Sequence, residues 1–386
     1  MLVAAEASGD ILGAGLARAL KRRLGEEQVT FIGVGGQAMA AEGVESPFDI
    51  GELSIVGAIE GVMAYPRVMK RVADTAALAA REKPDIAVLI DSWGFTLRVA
   101  KALRARDPSL PLIKYVAPQV WASRPGRART LAGAVDHLLA IHAVDASYFE
   151  REGLKTTFVG NPGLTRDFGR ADAARLRRAI GAAPDDQILL VLPGSRRAEI
   201  ERLMEPFEEA VNRLKTQRPN LRIVLPVANT VADLVKARVA GWRHSPYLIE
   251  DDELKFDAMK AATVALACSG TVTTELALAG CPMVVAYKVS AITGWIVRMV
   301  IRTPYITLIN VAVGKAIAPE FLQKDCSGEK LAAALAERLD DDALRETQIS
   351  AQFAALEKMG RGGPDPAIKA AEVVAQMLES KTPPRP

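Results

Sequence analysis

Residues 188–227 have the sequence ILLVLPGSRRAEIERLMEPFEEAVNRLKTQRPNLRIVLPV. Apolar runs at Ile188–Leu192 and Ile223–Val227 are typical of buried strands, and Ala198–Leu214 between them has the apolar spacing of a helix. Two strands joined by a crossover helix pair in parallel, because parallel neighbours need a long connection. This stretch therefore predicts one βαβ unit of an α/β protein.

The same alternation of strand and helix patterns continues in both directions. Before the Gly-Asn-Pro-Gly sequence at 160–163, further strands are predicted at Val29–Val34, Asp85–Ile90, Leu112–Val116 and His137–Ile141. After it, the series restarts at Ile188 and continues to Val264–Ala267 and Met283–Tyr287. A chain of 386 residues is also too long for one ordinary core. Two α/β domains with a hinge near residue 163 follow from these observations.

The C-terminal part of the chain has helical patterns that no strand follows. One lies after Asp340-Asp341-Asp342 and another covers Ala367–Leu378. We expect such terminal helices to cross back onto the first domain. The predicted domains are therefore residues 1–163 joined by 350–386, and residues 164–349.

Charge is unevenly distributed along the chain. Residues 60–130 contain 13 Lys or Arg against 6 Asp or Glu, whereas residues 181–260 contain 12 against 13. The positive first half favours an anionic substrate or surface, and we expect no nucleic-acid partner. Three cysteines without metal-ligand spacing favour a reduced, cytoplasmic compartment. The longest weakly charged stretch, Ala261–Tyr287, is interrupted by turn residues and does not predict a membrane span.

Two loops in the first half follow predicted strands and carry acidic side chains; the strand before the first loop is predicted from the apolar run Met1–Ala5. The first is Glu6-Ala7-Ser8-Gly9-Asp10, which fits either a ligand-binding turn or a tight turn capped by Asp10. The second begins at Asp91, directly after an apolar strand. Asp91 fits a general base that removes a proton from an attacking hydroxyl, or an ordinary helix N-cap.

Two loops in the second half have the composition of phosphate sites. Pro193-Gly194-Ser195-Arg196 precedes a helix and offers backbone N–H groups and a guanidinium to a diphosphate. Ser269-Gly270-Thr271 also precedes a helix, in which Glu275 is placed to accept both hydroxyls of a ribose. Each loop alone equally fits an ordinary helix start, but two in one half favour a nucleotide site.

Several other signals carry less weight. Gly33-Val34-Gly35-Gly36-Gln37-Ala38 matches a dinucleotide-binding pattern, but no acidic partner stands about 20 residues further on. The acidic triplet at 340–342 fits a solvated turn better than a metal site, and the three histidines form no ligand cluster. No feature of the sequence calls for a metal or a cofactor.

Two apolar stretches have basic edges. Leu53–Val68 includes Ile55, Val56 and Met63, and Ile292–Ile301 includes Trp295 and Arg298 and is followed by Arg302. Core helices are the commoner explanation for such patterns. The basic edges also fit contact with acyl chains or with a membrane surface.

Taken together, these motifs resemble the lipid-A-disaccharide synthase family in order and spacing. The matching segments are EASGD at 6–10, Asp91, YVAPQVWA at 115–122, LPGSR at 192–196, CSGTVTTELALAGCPMVVAYK at 268–288 and YITLINVAVG at 305–314. The resemblance covers nearly the whole chain. It implies a GT-B architecture of two Rossmann-like domains, in which the second domain binds UDP.

The resemblance also implies a reaction and a set of site residues. The reaction is inverting transfer from UDP-2,3-diacylglucosamine to 2,3-diacylglucosamine 1-phosphate, which forms a β-1,6-linked disaccharide without a cofactor. Asp91 is the leading catalytic candidate, and Glu6 is another active-site residue. The resemblance places Arg196, Glu275 and Asn310 in the donor site, and the two candidate phosphate loops add Gly194, Ser195, Ser269, Gly270 and Thr271 to the predicted donor-site residues. The enzyme is expected to be cytoplasmic and peripheral on the inner face of the bacterial inner membrane, and it is a possible homodimer.

Three positions depart from the pattern expected of this family. Gly94 stands where a second acidic residue is expected, Ser123 replaces a tryptophan, and Asn161 replaces a histidine. The first departure leaves Asp91 as the one carboxylate of its loop. The alternatives are another GT-B enzyme, such as a glycosyltransferase with a different lipid acceptor or a UDP-sugar epimerase, and a non-catalytic nucleotide-sugar-binding protein.

Overall fold

The computed structural model describes residues 1–53, 58–121, 124–289 and 303–381, without the side chains of 58–64, 252 and 381. The chain forms two compact units. The first comprises Met1–Pro162 and the chain from Gly362 onward, and the second comprises Gly163–Arg361. Each unit contains a parallel sheet with helices packed on its faces.

The sheet of the first unit has the strand order β2-β1-β3-β4-β5-β6. Its strands are β1 (Leu2–Ala4), β2 (Gly33–Val34), β3 (Ala87–Ile90), β4 (Leu112–Tyr115), β5 (His137–Ala140) and β6 (Lys155–Phe158). The helices are α1 (Ala7–Leu24), α2 (Gln37–Ala40), α3 (Ala58–Glu82), α4 (Trp93–Arg106), α5 (Gly126–Ala132) and α6 (Ala146–Glu150). The order reverses between β1 and β3, and in open parallel sheets the ligand crevice usually lies at the carboxyl ends of the strands at such a point.

The sheet of the second unit has the order β12-β11-β10-β7-β8-β9, which is that of Rossmann-fold sheets. Its strands are β7 (Ile188–Leu192), β8 (Arg222–Pro226), β9 (Tyr247–Ile249), β10 (Val264–Cys268), β11 (Met283–Tyr287) and β12 (Glu320–Leu322). The helices are α7 (Ala173–Ala179), α8 (Arg197–Gln217), α9 (Ala232–Val239), α10 (Asp252–Ala261), α11 (Thr271–Ala279), α12 (Leu308–Val313), α13 (Gly328–Asp340) and α14 (Asp342–Lys358). Here the order reverses between β7 and β10.

Each central strand is buried on both faces. In β7, Leu189 and Val191 enter one core, and Ile188, Leu190 and Leu192 enter the other. A strand covered by helices on both faces is apolar at every position, which explains the continuous runs that predicted these strands. Both α/β units of the prediction are confirmed.

The final helix, α15 (Pro366–Lys381), returns to the first unit, as predicted. A Cβ at Gly15 of α1 would lie 3.6 Å from the Cβ of Ala367, so the two helices pack closely. Ala370, Ala371 and Val374 are buried with α1 in one core. Among the described residues, no helix is long and apolar enough to cross a membrane.

The predicted boundary at residue 350 differs from the structure. Residues 350–361 lie in the second unit, where α14 is anchored by two buried glutamines. The Gln348 amide donates to the carbonyl of Met283 at 2.8 Å, and the Gln352 amide donates to the carbonyl of Cys281 at 3.0 Å. These bonds hold α14 to the start of β11, so only the last helix returns to the first unit.

Candidate active site

In the first unit, Glu6 and Asp91 follow the two strands that flank the reversal of strand order. Glu6 is exposed and precedes α1, and Asp91 is partly buried after β3. The Ser8 hydroxyl donates to Asp91 Oδ2 at 3.3 Å. A Cβ at Gly9 would lie 3.3 Å from the Cβ of Ala4, so glycine allows the start of α1 to approach the sheet. Both loops therefore lie at the carboxyl-terminal end of the sheet, each directly after the strand that precedes it in the sequence.

Asp91 begins a turn with an unusual backbone. Asp91 and Ser92 have φ values of 48° and 37°, in the left-handed region that non-glycine residues seldom adopt. The Asp91 side chain accepts from Ser8 rather than from a backbone N–H of α4, and Ser92 occupies the N-cap position. The helix-cap explanation of Asp91 is therefore wrong.

Asp10 has a structural role that differs from the predicted cap of its own turn. Its carboxylate is buried and accepts the backbone N–H groups of Gly36 at 2.7 Å, Ala38 at 2.9 Å and Met39 at 3.0 Å. It therefore caps the start of α2 rather than its own helix. The glycine-rich segment after β2 is consequently held by a protein carboxylate.

Lys114 is a buried cation beneath the Asp91 turn. No sequence motif predicted it. It is 3% exposed on β4, and its ammonium donates to the Asp91 carbonyl and to Thr96 Oγ1. Burial lowers the pKa of Lys114 to about 7, against the opposing effects of the Asp91 and Glu6 charges. A charged residue within an apolar strand was the available sequence signal.

Asp145 is a second buried ionisable group at the carboxyl-terminal end of this sheet, after β5. It is 1% exposed, and burial raises the pKa of its carboxyl to about 7. The nearby indole N–H of Trp121 opposes this rise in the pKa of Asp145. Neither the indole N–H nor the Asp145 carboxylate makes a hydrogen bond of normal geometry with a described residue. Trp121 belongs to the YVAPQVWA segment.

In the second unit, the two predicted phosphate loops line a single cavity of about 290 Å³. Pro193–Arg196 follows β7, and Ser269–Thr271 follows β10, on either side of the reversal of strand order. Glu275 also lines this cavity. The structure thus brings together seven of the eight predicted donor-site residues, around a cavity near the lower size limit of small-molecule pockets, about 300 Å³.

In the first loop, a protein carboxylate already accepts two of the backbone N–H groups. Glu199, three residues into α8, accepts the N–H groups of Ser195 at 3.1 Å and Arg196 at 3.2 Å. Gly194 has a φ of 114°, and a Cβ there would overlap the Glu199 carboxylate. The loop also presents the Arg196 guanidinium, whose side chain is 78% exposed and pairs with Glu199 Oε1 at 2.9 Å. The acidic residue at the third helical position was a recognisable capping signal.

The second loop leaves backbone donors available. Gly270 is the N-cap of α11 and makes no side-chain cap, while the Thr273 hydroxyl donates to the Gly270 carbonyl at 2.8 Å. Within the described ranges, no acceptor meets the N–H groups of Thr271 and Val272. A helix start with unpaired donors facing a cavity favours an anion, because the helix dipole adds to the amide charges.

Glu275 forms ion pairs with two basic side chains that no sequence motif predicted. Its carboxylate pairs with Lys255 at 3.1 Å and with Arg166 at 3.3 Å. Both cations also lie over the ring of Phe256, at 5.2 Å and 4.6 Å from its centroid. Lys255 lines the cavity together with Glu275, so a basic group lies beside this carboxylate in the site.

Asn310 is placed differently from the other predicted donor-site residues. It is fully buried, and its amide donates to the Ala318 carbonyl and to Glu320 Oε1, each at 2.8 Å. Its oxygen accepts the N–H groups of Ile317 and Ala318. Ser269 connects to the same segment through a 3.5 Å bond to the Ile306 carbonyl. Asn310 therefore orders a neighbouring loop and is not among the residues that line the cavity.

The predicted acyl or membrane contacts lie outside the described residues. These are Ile55, Val56, the Met63 side chain, Trp295, Arg298 and Arg302. On the described part of α3, Tyr65 is 51% and Met69 is 38% exposed. Across the portion of the chain that the structure describes, no three His, Cys, Asp or Glu side chains group as metal ligands.

The fold defines the class of protein. A UDP-GlcNAc 2-epimerase from Neisseria meningitidis, solved with UDP-GlcNAc, is similar with a TM-score of 0.59 and 12% identity, covering 98% of each chain. A glycosyltransferase from Rickettsia africae is similar with a TM-score of 0.60 and 10% identity, covering 99% of this chain and 98% of that one. At these identities the likeness shows the fold alone, which is the GT-B fold of glycosyltransferases and related epimerases.

Sequence comparison identifies the family. The model described as lipid-A-disaccharide synthetase matches residues 1–367. The lipid-A-disaccharide synthase of Paramagnetospirillum magneticum is 43% identical over 379 residues, which cover 98% of this chain and 97% of that protein. The one from Bradyrhizobium diazoefficiens is 43% identical over 377 residues, covering 97% and 95%. The chain belongs to the lipid-A-disaccharide synthetase family, which confirms the predicted family and the predicted enzyme class, a glycosyltransferase.

The two glycines of the donor loops should respond differently to alanine. Gly194→Ala should lower the free energy of unfolding by about 1–3 kcal/mol, because it combines a left-handed backbone with overlap on Glu199. Gly270→Ala should change it by less than about 0.5 kcal/mol, since Gly270 has an extended backbone and no atom within 4 Å of a new Cβ. Urea unfolding of both variants measures this difference. Equal stabilities would contradict the assigned strain.

Asp145→Asn should change how stability depends on pH. The folded protein retains a proton on Asp145 up to about pH 7, whereas an unfolded aspartate releases it near its ordinary pKa of 3.8. The contribution of Asp145 to stability therefore falls as pH rises from about 4 to about 7, by roughly 2–4 kcal/mol. Relative to the parent protein, Asp145→Asn should become more stable across this interval.

The measurement is urea unfolding of both proteins at pH 5 and pH 8. Burial lowers the pKa of His137 and of His142 to about 4, so the contribution of these two histidines to stability rises with pH, opposite to that of Asp145. Their contribution is common to both proteins and cancels in the difference. A difference that does not change with pH would show that Asp145 is ionised in the folded protein.

Proposed function

We propose that this protein joins two acylated glucosamines in one inverting displacement. The 6-hydroxyl oxygen of 2,3-diacylglucosamine 1-phosphate bonds to the anomeric carbon of UDP-2,3-diacylglucosamine. The bond from that carbon to the diphosphate oxygen breaks, and UDP departs with the bonding electron pair. The hydroxyl proton passes to a carboxylate of the enzyme. The products are a β-1,6-linked disaccharide 1-phosphate and UDP.

The observation that carries this proposal is the donor-type cavity of the second unit in a chain of this family. Thr271 and Val272 offer unpaired amides at the start of α11, and Arg196 offers an exposed guanidinium. These groups suit the charge that develops on a departing diphosphate, because preorganised donors stabilise it without rearrangement. Glu275, oriented by Lys255 and Arg166, is placed to accept the ribose hydroxyls.

Asp91 of the first unit is proposed as the general base. It lies where the strand order reverses, which is the usual ligand position in open parallel sheets. Its 3.3 Å bond to the Ser8 hydroxyl is long, so a substrate hydroxyl is able to compete for the same oxygen. Glu6 precedes α1 at the same crevice and is proposed to bind the acceptor sugar.

We propose that the acyl chains reach the enzyme at the inner surface of the bacterial inner membrane. The excess of positive charge in residues 60–130 suits anionic lipids. Exposed Tyr65 and Met69 on α3 supply apolar contacts on a helix that also carries Arg67 and Lys70. Dimer formation is part of the proposal only through the family resemblance.

Release of UDP with defined substrates tests the function. We expect UDP release only when the acylated donor and the acylated acceptor are both present, together with a disaccharide 1-phosphate detected by mass spectrometry. Substrates presented in anionic vesicles should be used faster than those in neutral vesicles. Conversion of UDP-GlcNAc to its 2-epimer without UDP release would instead favour an epimerase. UDP binding without turnover of any acylated sugar would favour a binding protein.

Asp91→Asn tests the base. The amide keeps the size of the side chain but is not able to accept the proton, so kcat should fall by about 10²–10⁴-fold. The affinity for UDP, measured by calorimetry, should stay within about twofold, because the donor cavity lies in the second unit. Asp233→Asn, an exposed change on α9, should retain normal turnover. Unchanged kcat in Asp91→Asn would remove Asp91 from this role.

A further inference from the structure

The sheet of the first unit contains a charge that its fold does not require. Lys114 lies on β4, and its register partners on β3 and β5 are Leu89 and Leu138. At 3% exposure its ammonium has lost most of its hydration. Burying a cation costs several kcal/mol, and an apolar residue of similar length is often neutral or stabilising at such a site. A function in the active site would account for keeping the lysine.

The hydrogen bonds of Lys114 all lead to the turn that carries Asp91. Its ammonium donates to the Asp91 carbonyl and, at 2.8 Å, to Thr96 Oγ1. The Thr96 hydroxyl lies 2.7 Å from the Asp91 carbonyl and 2.9 Å from the Ser92 carbonyl. The Asp91 N–H donates to the Tyr115 carbonyl at 2.9 Å. The turn is thus fastened to β4 and to α4.

These hydrogen bonds stabilise a strained backbone at Asp91 and Ser92. Two successive non-glycine residues in the left-handed region cost about 1–2 kcal/mol each. If the turn relaxed, the direction of the Asp91 side chain would change, because the φ angle of a residue sets where its Cβ points. The carbonyl held by Lys114 belongs to Asp91 itself. The cation therefore acts on the residue whose carboxylate is proposed as the base.

We propose that Lys114 is a positioning residue, whose ammonium and the Thr96 hydroxyl hold the Asp91–Ser92 turn so that the Asp91 carboxylate points at the acceptor hydroxyl. This inference rests on the proposed function, since it assigns Asp91 as the base. The charges that act on the Lys114 ammonium are the carboxylates of Asp91 and Glu6, and Thr96 contributes a neutral hydroxyl. Lys114 does not contact the substrate in this proposal.

A purely structural lysine and a positioning lysine predict different results. Lys114→Met removes the charge and the donors while keeping the length of the side chain. The positioning role predicts a kcat about 10–100-fold lower, with the donor KM and the affinity for UDP within about twofold. It also predicts unfolding stability no lower than that of the parent. A structural role predicts lower stability and a normal kcat per folded molecule.

Two further variants keep the test decisive if Lys114→Met folds poorly. Lys114→Gln keeps an amide donor and should recover part of the lost kcat. Thr96→Val removes one hydroxyl without changing any charge and should lower kcat while leaving the donor KM unchanged. Lys101→Met, an exposed change on α4, is the matched control and should retain normal kinetics.

The double variant Asp91→Asn with Lys114→Met separates this inference from the proposed function. If Lys114 acts through Asp91, adding Lys114→Met to Asp91→Asn should change kcat by less than about twofold. Normal kcat in folded Lys114→Met and Thr96→Val, beside a defective Asp91→Asn, would overturn the positioning role alone. Normal kcat in Asp91→Asn would overturn the base on which both proposals depend.

Discussion

Parallel strand pairing is the constraint on which both candidate sites depend. In a parallel sheet the carboxyl ends of all strands share one edge, and the loops diverge only where the strand order reverses. In the first unit this point lies between β1 and β3, so Glu6 and Asp91 follow the two flanking strands. In the second unit it lies between β7 and β10, where the two glycine-containing loops enclose a cavity.

The starts of α8 and α11 in the second unit differ in which backbone N–H groups already have an acceptor. Glu199 accepts the N–H groups of Ser195 and Arg196 just before α8, so a protein carboxylate already occupies two donors of the first loop. The start of α11 has no such carboxylate, and its amides face the cavity. Because buried donors need partners, this difference favours an anionic ligand at the second loop, while the exposed Arg196 guanidinium of the first loop pairs with Glu199 at 2.9 Å.

Most of the central architecture could be predicted from the sequence, and the sheet edges could not. The buried central strands appear as apolar runs, because helices cover both faces. The strands β6, β9 and β12 were missed: they lie at sheet edges, and most of their residues are only partly buried. Their partly polar sequences resemble loops. The boundary at 350 was wrong for a similar reason, since Gln348 and Gln352 bind backbone carbonyls without any apolar signature.

By itself, the sequence determined the α/β class, the restart of the strand series near residue 163, and which loops follow which strands. These properties are local, because they depend on the spacing of apolar residues and on short motifs. Only the tertiary structure decided that Glu199 closes one donor loop, that Arg166 and Lys255 hold Glu275, and that Lys114 supports the Asp91 turn. The contacts of Arg166 and Lys255 with Glu275, and of Lys114 with Asp91, join residues at least 20 positions apart in the chain. At such separations, spacing along the sequence carries no information about distance in space.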